Sequence, residues 1–119
     1  TRVGPRIAVA LHYAYEVQKQ GQTPPVYMQE FLTPAYCNYL EKRWEEIHAT
    51  HSRFLHPGEE EFITPTAIQR MSLTGAREEI SARIRQLEAV GLTQFVISPP
   101  WGYVEESIVE FAQEVIAHY

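Results

Sequence analysis

The stretch from Leu73 to Pro100 constrains the fold most, because it combines a helical pattern with a strand-like run. From Ala76 to Val90, apolar residues recur every three to four positions, which predicts an amphipathic helix. Gly91 is typical of a helix end. Thr93 to Ser98 then contains three consecutive β-favouring residues and predicts a buried strand of the parallel type. No second run of this kind occurs in the chain, so the strand has no evident partner.

Helix signals dominate the rest of the chain. Thr33 and Thr64 each precede a proline, which predicts a hydroxyl cap followed by the first turn of a helix. The helix after Thr33 has one apolar stripe, formed by Tyr36, Leu40, Trp44 and Ile47. The segment 26–32 fits either a short helix or a packed loop. The other predicted helices comprise residues 5–20, residues 64 to about 71, and residues 104–119.

Composition indicates one globular domain. The chain has 119 residues, of which 45% are apolar and 21% charged, far from the disordered class. A net charge of -5 argues against a nucleic-acid or anionic-membrane surface. No apolar run is long enough to span a membrane. The longest run of like charge, Glu59–Glu61, is expected to be a solvated loop, and the lone Cys37 fits a reducing cytoplasm.

Three histidines close together in sequence suggest a possible metal site. His48, His51 and His56 are separated by three and five positions, and imidazoles at such intervals can converge on zinc. These spacings fit neither one helix face nor a standard zinc module, and no cysteine pair accompanies them. We therefore expect solvent-facing or capping histidines and no metal.

His12 and Cys37 are two further candidates for catalysis. His12 lies in the first predicted helix beside Tyr13 and Tyr15, and is expected to be a satisfied helix residue rather than a base. Cys37 lies in the first turn after Thr33, where helix amides can lower the pKa of a thiol. No catalytic partner for Cys37 is identifiable, so a packing role is favoured.

Thr74 and Gly75 precede the helix that begins near Ala76, and free amides at such a position can bind a phosphate. One glycine and one hydroxyl make a weak pattern, so capping by Thr74 is favoured, and both residues remain candidate cofactor contacts. The sequence contains no Ser-His-Asp order, carboxylate pair, phosphate loop or Rossmann glycine pattern. It therefore has no self-sufficient catalytic constellation.

Near the C-terminal end, several short motifs follow one another along the chain: Leu73-Thr74-Gly75, Glu78-Glu79-Ile80, Arg83, Leu87 to Gly91, Gln94 to Ile97, Glu105 to Ile108 and Phe111 to Ile116. In this order they resemble the C-terminal end of luciferase-like monooxygenases, and the passage 55–65 looks like the one preceding it in some members. Residues 1–50 match more loosely. The chain departs from the family at Gly75-Ala76-Arg77, where Gly-Thr-Pro or Gly-Ser-Pro is common.

The resemblance implies an α/β fold, specifically the C-terminal third to half of a (β/α)8 barrel of about 250 residues. The chain begins at Thr1 without an initiator methionine, which is compatible with a trimmed piece. Residues 1–72 are then a helical or inserted region, and residues 73–119 the last helix, strand and helix of the barrel, within one segment. The resulting expectation is a mostly helical fragment with about one core strand, Thr93–Ser98.

The resemblance also implies an activity. Family members move hydrides or activate oxygen with FMN or a 5-deazaflavin coenzyme. Ser98 ends the expected strand and Trp101 follows it, on the face where barrel enzymes build active sites, so the resemblance makes both candidate cofactor contacts. Trp101 is expected either to cover a flavin-like ring or to pack as an aromatic plug.

The chain by itself is expected to be inactive and to bind no cofactor tightly, because most binding groups would lie on missing strands. Its expected partner is the missing N-terminal part of the barrel or a second copy. The alternative is a non-enzymatic, mostly helical module for self-association or partner binding, since an unpaired strand is a template for pairing with another chain.

Overall fold

The computed structural model describes residues 2–50 and 53–119, and these residues form helices, turns and loops. The ambiguous segment 26–32 begins with a short helix. Two short 3-10 helices, Glu59–Glu61 and Ile116–His118, add to the α-helices. The α-helices are α1 (Gly4–Lys19), α2 (Val26–Gln29), α3 (Pro34–Ala49), α4 (Pro65–Met71), α5 (Arg77–Ala89) and α6 (Val104–Glu114).

The chain divides into two compact units. Unit 1 comprises Thr1–Ser72 and contains α1 to α4, and unit 2 comprises Leu73–Tyr119 and contains α5 and α6. The two units differ in how far they bury their apolar side chains. Most of the buried apolar residues of the chain belong to unit 1, whereas many of the large exposed ones belong to unit 2.

Unit 1 has a core built from the apolar stripes of its helices. The predicted stripe of α3 is confirmed, because Tyr36, Leu40 and Ile47 are buried and Trp44 packs against the same core. α1 contributes a second stripe at helical spacing. This stripe contains Ile7, Leu11 and Ala14.

Threonine hydroxyls cap two helices of unit 1, as the sequence predicts. The Thr33 hydroxyl accepts a hydrogen bond from the backbone amide of Tyr36 at 3.2 Å, at the start of α3. The Thr64 hydroxyl accepts from the amide of Ala67 at 3.1 Å, at the start of α4. Each cap satisfies an amide that has no partner within its own helix.

Unit 2 begins with a different cap from the one expected at Thr74. The Glu79 carboxylate accepts a hydrogen bond from the backbone amide of Ala76 at 2.8 Å. A side chain from the first turn of α5 therefore caps the N-terminus of that helix. Alanine has no side-chain acceptor to reciprocate. Gly75 has a φ of 139°, and a Cβ atom there would lie 2.5 Å from the Glu79 carboxylate. Glycine therefore leaves room for this cap.

The apolar side of α5 is only partly covered. Ile84 is buried and Ile80 is half-buried, as expected of inward positions, but Leu87 is exposed. The last helix is shorter than the predicted range 104–119, because α6 ends at Glu114 and the 3-10 helix follows. Beyond it, the Tyr119 hydroxyl donates to the Glu88 carboxylate at 2.5 Å.

The α/β expectation is wrong for this chain. Among residues 2–50 and 53–119 the structure contains no strand, and Thr93–Ser98 has no regular secondary structure. A strand is stable only when a neighbour pairs with its amides and carbonyls, and no described segment does so. Phe95, Val96 and Ile97 are 43%, 87% and 38% exposed, so the flanking helices do not bury them either.

Candidate functional site

A buried carboxylate, Glu59, lies at the centre of a polar cluster in unit 1. His12 of α1 contacts its Oε1 atom through Nε2. The Tyr36 hydroxyl of α3 donates to the same oxygen at 2.9 Å, and the backbone amide of His56 donates to Oε2 at 3.3 Å. Glu59 and Tyr36 are fully buried, and His12 is nearly so. We call His12, Tyr36, His56 and Glu59 the Glu59 cluster.

His56 extends this cluster toward the surface. Its Nε2 atom lies 2.6 Å from the Thr50 hydroxyl, and its Nδ1 atom lies 3.6 Å from a carboxylate oxygen of Glu46. Thr50 follows the last residue of α3, and Glu46 lies in the last turns of that helix. His56 therefore attaches the segment before Glu59 to the C-terminal end of α3.

Burial and hydrogen bonding act in opposite directions on Glu59. Burial raises the pKa of its carboxyl, but the hydrogen bonds from His12, Tyr36 and the His56 amide, with the charge of His12, leave the pKa below its usual value. Burial beside this carboxylate raises the pKa of Tyr36 well above its usual value. The cluster therefore contains an ionised glutamate and a neutral tyrosine that donates to it.

The Glu59 cluster has acid and base groups but little exposed surface. His12, Tyr36, His56 and Glu59 are between 0% and 4% exposed, so a substrate cannot reach them unless unit 1 opens. Aromatic rings enclose the cluster further: Phe62 stacks on Tyr36 with ring centroids 4.8 Å apart, and Trp44 meets His12 edge to face. The arrangement is suited to holding α1, α3 and residues 56–59 together.

Sequence reasoning missed Glu59. The run Glu59–Glu61 predicts a solvated loop, and Glu60 and Glu61 are indeed exposed, but Glu59 points into the core. In the sequence, the glycine just before Glu59 could have distinguished it from the two exposed glutamates that follow. Gly58 precedes it with a φ of 85°, a left-handed conformation that turns the chain sharply at this point.

The three candidate metal histidines have different environments. The His48 ring lies 5.1 Å from that of Trp44, and His56 is buried rather than solvent-facing. His51 lies outside the described residues. No group of three or more histidine, cysteine or acidic side chains suited to a metal occurs in the part of the chain that the structure describes.

The two single candidates for catalysis have ordinary packing partners. His12 is a buried helix residue whose Nε2 atom contacts the Glu59 carboxylate. Cys37 is half-buried, and its Sγ atom lies 3.7 Å from the Leu32 carbonyl and 3.9 Å from the Gln18 amide. Burial raises the pKa of the Cys37 thiol, which reduces the fraction of reactive thiolate.

The four candidate cofactor contacts all lie in unit 2. Ser98 and Trp101 are exposed, and Trp101 as a whole residue is 67% exposed. Thr74 is half-buried and Gly75 exposed, immediately before α5. The amide of Ala76, which a phosphate would need at this helix start, already donates to the Glu79 carboxylate. An anion would have to displace that carboxylate.

An open hollow lies on the surface of unit 2 and begins at Gly102, the residue after Trp101. Its volume is about 480 Å³, and it begins in the turn before α6 and continues along the first turns of that helix. Its lining includes three glutamates, one tyrosine and one valine. The lining residues are Gly102, Tyr103, Glu105, Glu106, Val109 and Glu110.

Comparisons with known proteins add no family to this picture. No protein-family model matches the chain, and no solved structure gives a significant match. Within the described residues, no helix combines the length and the apolar character needed to cross a bilayer. The geometry and the sequence motifs are therefore the basis for any functional proposal.

Proposed function

We propose that the chain is the C-terminal part of a luciferase-like flavin- or deazaflavin-dependent oxidoreductase and has no activity by itself. The motif order from Leu73 to Ile116 supports the family relationship. The single structural observation behind the proposal is the exposure of Trp101, next to the apolar run Phe95–Ile97. An indole at such a position is available to stack on a ring that the rest of a larger protein holds.

The residues present do not form a flavin site by themselves. Ser98 offers one hydroxyl and Trp101 one stacking face, both at an open surface. The neighbouring hollow is lined by Glu105, Glu106 and Glu110, whose charges repel the phosphate of FMN. We therefore assign no reaction step to this chain, and FMN or a 5-deazaflavin coenzyme belongs to the intact protein in this proposal.

The decisive experiment compares this chain with the complete translation product of its gene. Fluorescence titration with FMN and with a 5-deazaflavin coenzyme should show tight binding only to the longer protein. The chain alone should bind no more tightly than about millimolar, because too few contacts are available to offset the cost of association. A reading frame of only 119 codons, or a longer product that binds neither coenzyme, would contradict the proposal.

Trp101 can be tested in the longer protein. Trp101→Ala should weaken coenzyme binding, whereas Tyr13→Ala, which removes an exposed ring from unit 1, should leave it unchanged. Equal effects of the two substitutions would remove Trp101 from the binding site.

The lone Cys37 favours placing this protein in the cytoplasm, which cell fractionation of the tagged protein tests.

A second candidate function is non-enzymatic partner binding by unit 2. It is favoured by the many large apolar side chains that this small unit exposes, which is the usual mark of an interaction surface. Sedimentation equilibrium tests one form of it: reversible self-association supports a module that pairs with its own copies. The exposed set comprises Leu87, Val90, Leu92, Phe95, Val96, Ile97, Trp101, Tyr103, Val104, Ile108, Val109, Ile116 and Tyr119.

A further inference from the structure

Residues 93–98 have backbone groups that are available for pairing. Each of these six residues is exposed, and the segment has no regular secondary structure. Across the two described ranges, 2–50 and 53–119, no backbone–backbone hydrogen bond involves an amide or a carbonyl of this segment. A row of such groups among β-favouring side chains is a template for another strand. We call residues 93–98 the pairing segment.

The exposure of the pairing segment alternates along the chain. Phe95 and Ile97 are 43% and 38% exposed, whereas Val96 between them is 87% exposed. The Phe95 ring meets the ring of Phe111 in α6 edge to face, with centroids 6.3 Å apart. Alternation with a period of two is typical of an extended chain that has one side against the protein. The segment therefore has the two-sided character of a strand and is anchored on one side.

The pairing segment is uncharged, although the chain has a net charge of -5. The nearest charged residues in the sequence are Glu88 and Glu105, so residues 89–104 form a neutral stretch. Two copies can therefore meet here without bringing together the like charges that oppose binding. Six neutral residues with high β propensity and no proline or glycine are also typical of segments that pair between identical chains.

An antiparallel arrangement centred on Val96 matches the pairing segment with itself. It places Phe95 of one copy opposite Ile97 of the other, and Gln94 opposite Ser98. Aromatic and β-branched residues stabilise antiparallel strands when they face each other. Within residues 94–98, no position in this register sets a polar side chain against an apolar one. The two prolines that follow Ser98 have no amide to donate, so the ladder ends there.

We propose that the pairing segment forms an antiparallel two-stranded ladder with the same segment of a second copy, in the register centred on Val96. This inference rests on the second proposed function, partner binding by unit 2, in its self-association form. It adds the segment, the direction and the register of pairing. An isolated two-stranded ladder is only marginally stable, so the dimer forms at high protein concentration and the dilute chain is monomeric.

A charge-reversal pair tests whether Val96 lies on the two-fold axis. Sedimentation equilibrium of the complete 119-residue chain should show a dimer as the concentration rises to about millimolar. In Val96→Asp two carboxylates face each other across the axis, and in Val96→Lys two ammonium groups do. Each variant alone should therefore have a dimer dissociation constant raised at least about fivefold. An equimolar mixture of the two should dimerise again, because opposite charges then meet.

The matched controls change a valine of unit 1. Val26 is 81% exposed, and Val26→Asp and Val26→Lys make the same two charge changes away from the pairing segment. Both should dimerise like the unsubstituted chain, alone and mixed. Circular dichroism checks that every variant retains its helix content, so that a loss of dimers is not a loss of folding.

Single cysteines test the direction and register. They are introduced in the Cys37→Ser chain, which has no other thiol. With oxidised glutathione as the oxidant, Gln94→Cys and Ser98→Cys should form crosslinked dimers when mixed and few when alone, since each position faces the other across the pair. Val96→Cys should crosslink with itself. Non-reducing gel electrophoresis measures the fraction of dimer.

Three results would overturn the proposal, each in a different way. If both charge variants of Val96 leave the dimer intact, another surface joins the copies, and self-association stands without the pairing segment. If Gln94→Cys crosslinks efficiently with itself, the strands are parallel. A chain that stays monomeric at every concentration overturns both the pairing and the self-association form of the second proposed function.

Discussion

The imidazole Nε2 atom of His12 donates a hydrogen bond to the carboxylate of Glu59, which lies 47 positions later in the chain. Tyr36 of α3 donates to the same oxygen, and the amide of His56 donates to the other one. One carboxylate therefore connects α1, α3 and the segment before the 3-10 helix. Losing it should weaken all three attachments together.

Replacing Glu59 should destabilise unit 1 strongly. In Glu59→Ala the donors of His12, Tyr36 and the His56 amide remain buried without their acceptor, which should lower the free energy of unfolding by about 3 kcal/mol. Urea unfolding followed by far-ultraviolet circular dichroism measures the loss. The matched control is Glu60→Ala, whose side chain is exposed and which should unfold like the unsubstituted chain. Equal stability of the two variants would contradict a structural role for Glu59.

Unit 1 should lose stability in acid because of the same carboxylate. The pKa of Glu59 is lower in the folded chain than its ordinary value of about 4.3 in an unfolded chain. Its contribution is therefore complete above about pH 4.3 and is lost as the pH falls through the lower, folded value. Urea unfolding at a series of pH values should show this loss, and Glu59→Gln should flatten the acid dependence. An unchanged slope in that variant would assign the dependence to other carboxylates.

The Tyr36 hydroxyl should lower the pKa of Glu59. Tyr36→Phe removes one donor to the carboxylate but keeps the ring that stacks on Phe62. We expect the pKa of Glu59 to rise and stability to fall by about 1 kcal/mol, the usual value of one buried hydrogen bond. Carbon-13 NMR titration of the Glu59 carboxyl measures the pKa. The exposed Tyr27→Phe serves as the control and should leave this pKa unchanged.

The Thr64 cap should stabilise α4. Thr64→Ala removes the acceptor of the Ala67 amide and should destabilise unit 1 by about 1 kcal/mol, as expected for loss of an N-cap. Thr66→Ala changes an exposed threonine two positions later, inside the same helix, and should have little effect. Thermal unfolding of the two variants side by side distinguishes a capping effect from a general effect of losing threonine.

The segment Thr93–Ser98 should exchange its amide hydrogens rapidly in the isolated chain. It has no regular secondary structure, whereas amides inside α5 have helical partners. Hydrogen exchange followed by NMR should therefore separate the two segments clearly. Strong protection of residues 95–97 would mean that their amides are paired with another backbone.

Local signals in the sequence predicted the helices of unit 1 well. The proline after Thr33 and the stripe through Tyr36 and Leu40 depend only on neighbouring residues, and the structure confirms both. Glu59 could not be placed in the same way, because its burial depends on His12 in another helix. The glutamate three residues after Ala76 is a readable signal for the cap of α5, although the expectation from the sequence was capping by Thr74.

The prediction of a strand is wrong for a related reason. The run Phe95–Ile97 has the composition of a strand, but composition does not provide the neighbour that a strand requires. The candidate contacts Ser98 and Trp101 were located through that strand and the family resemblance, so their role is still a prediction. What the structure adds is that both residues are exposed.

The position of Glu59 has a consequence for how unit 1 folds. Its three donors lie 47, 23 and 3 positions away, so local structure alone supplies only one of them. Burying the carboxylate before the other two donors arrive would leave it only partly hydrogen-bonded, which costs free energy. A partly assembled form that buries Glu59 against only one of α1 and α3 is therefore disfavoured. We expect unit 1 to fold in one cooperative step.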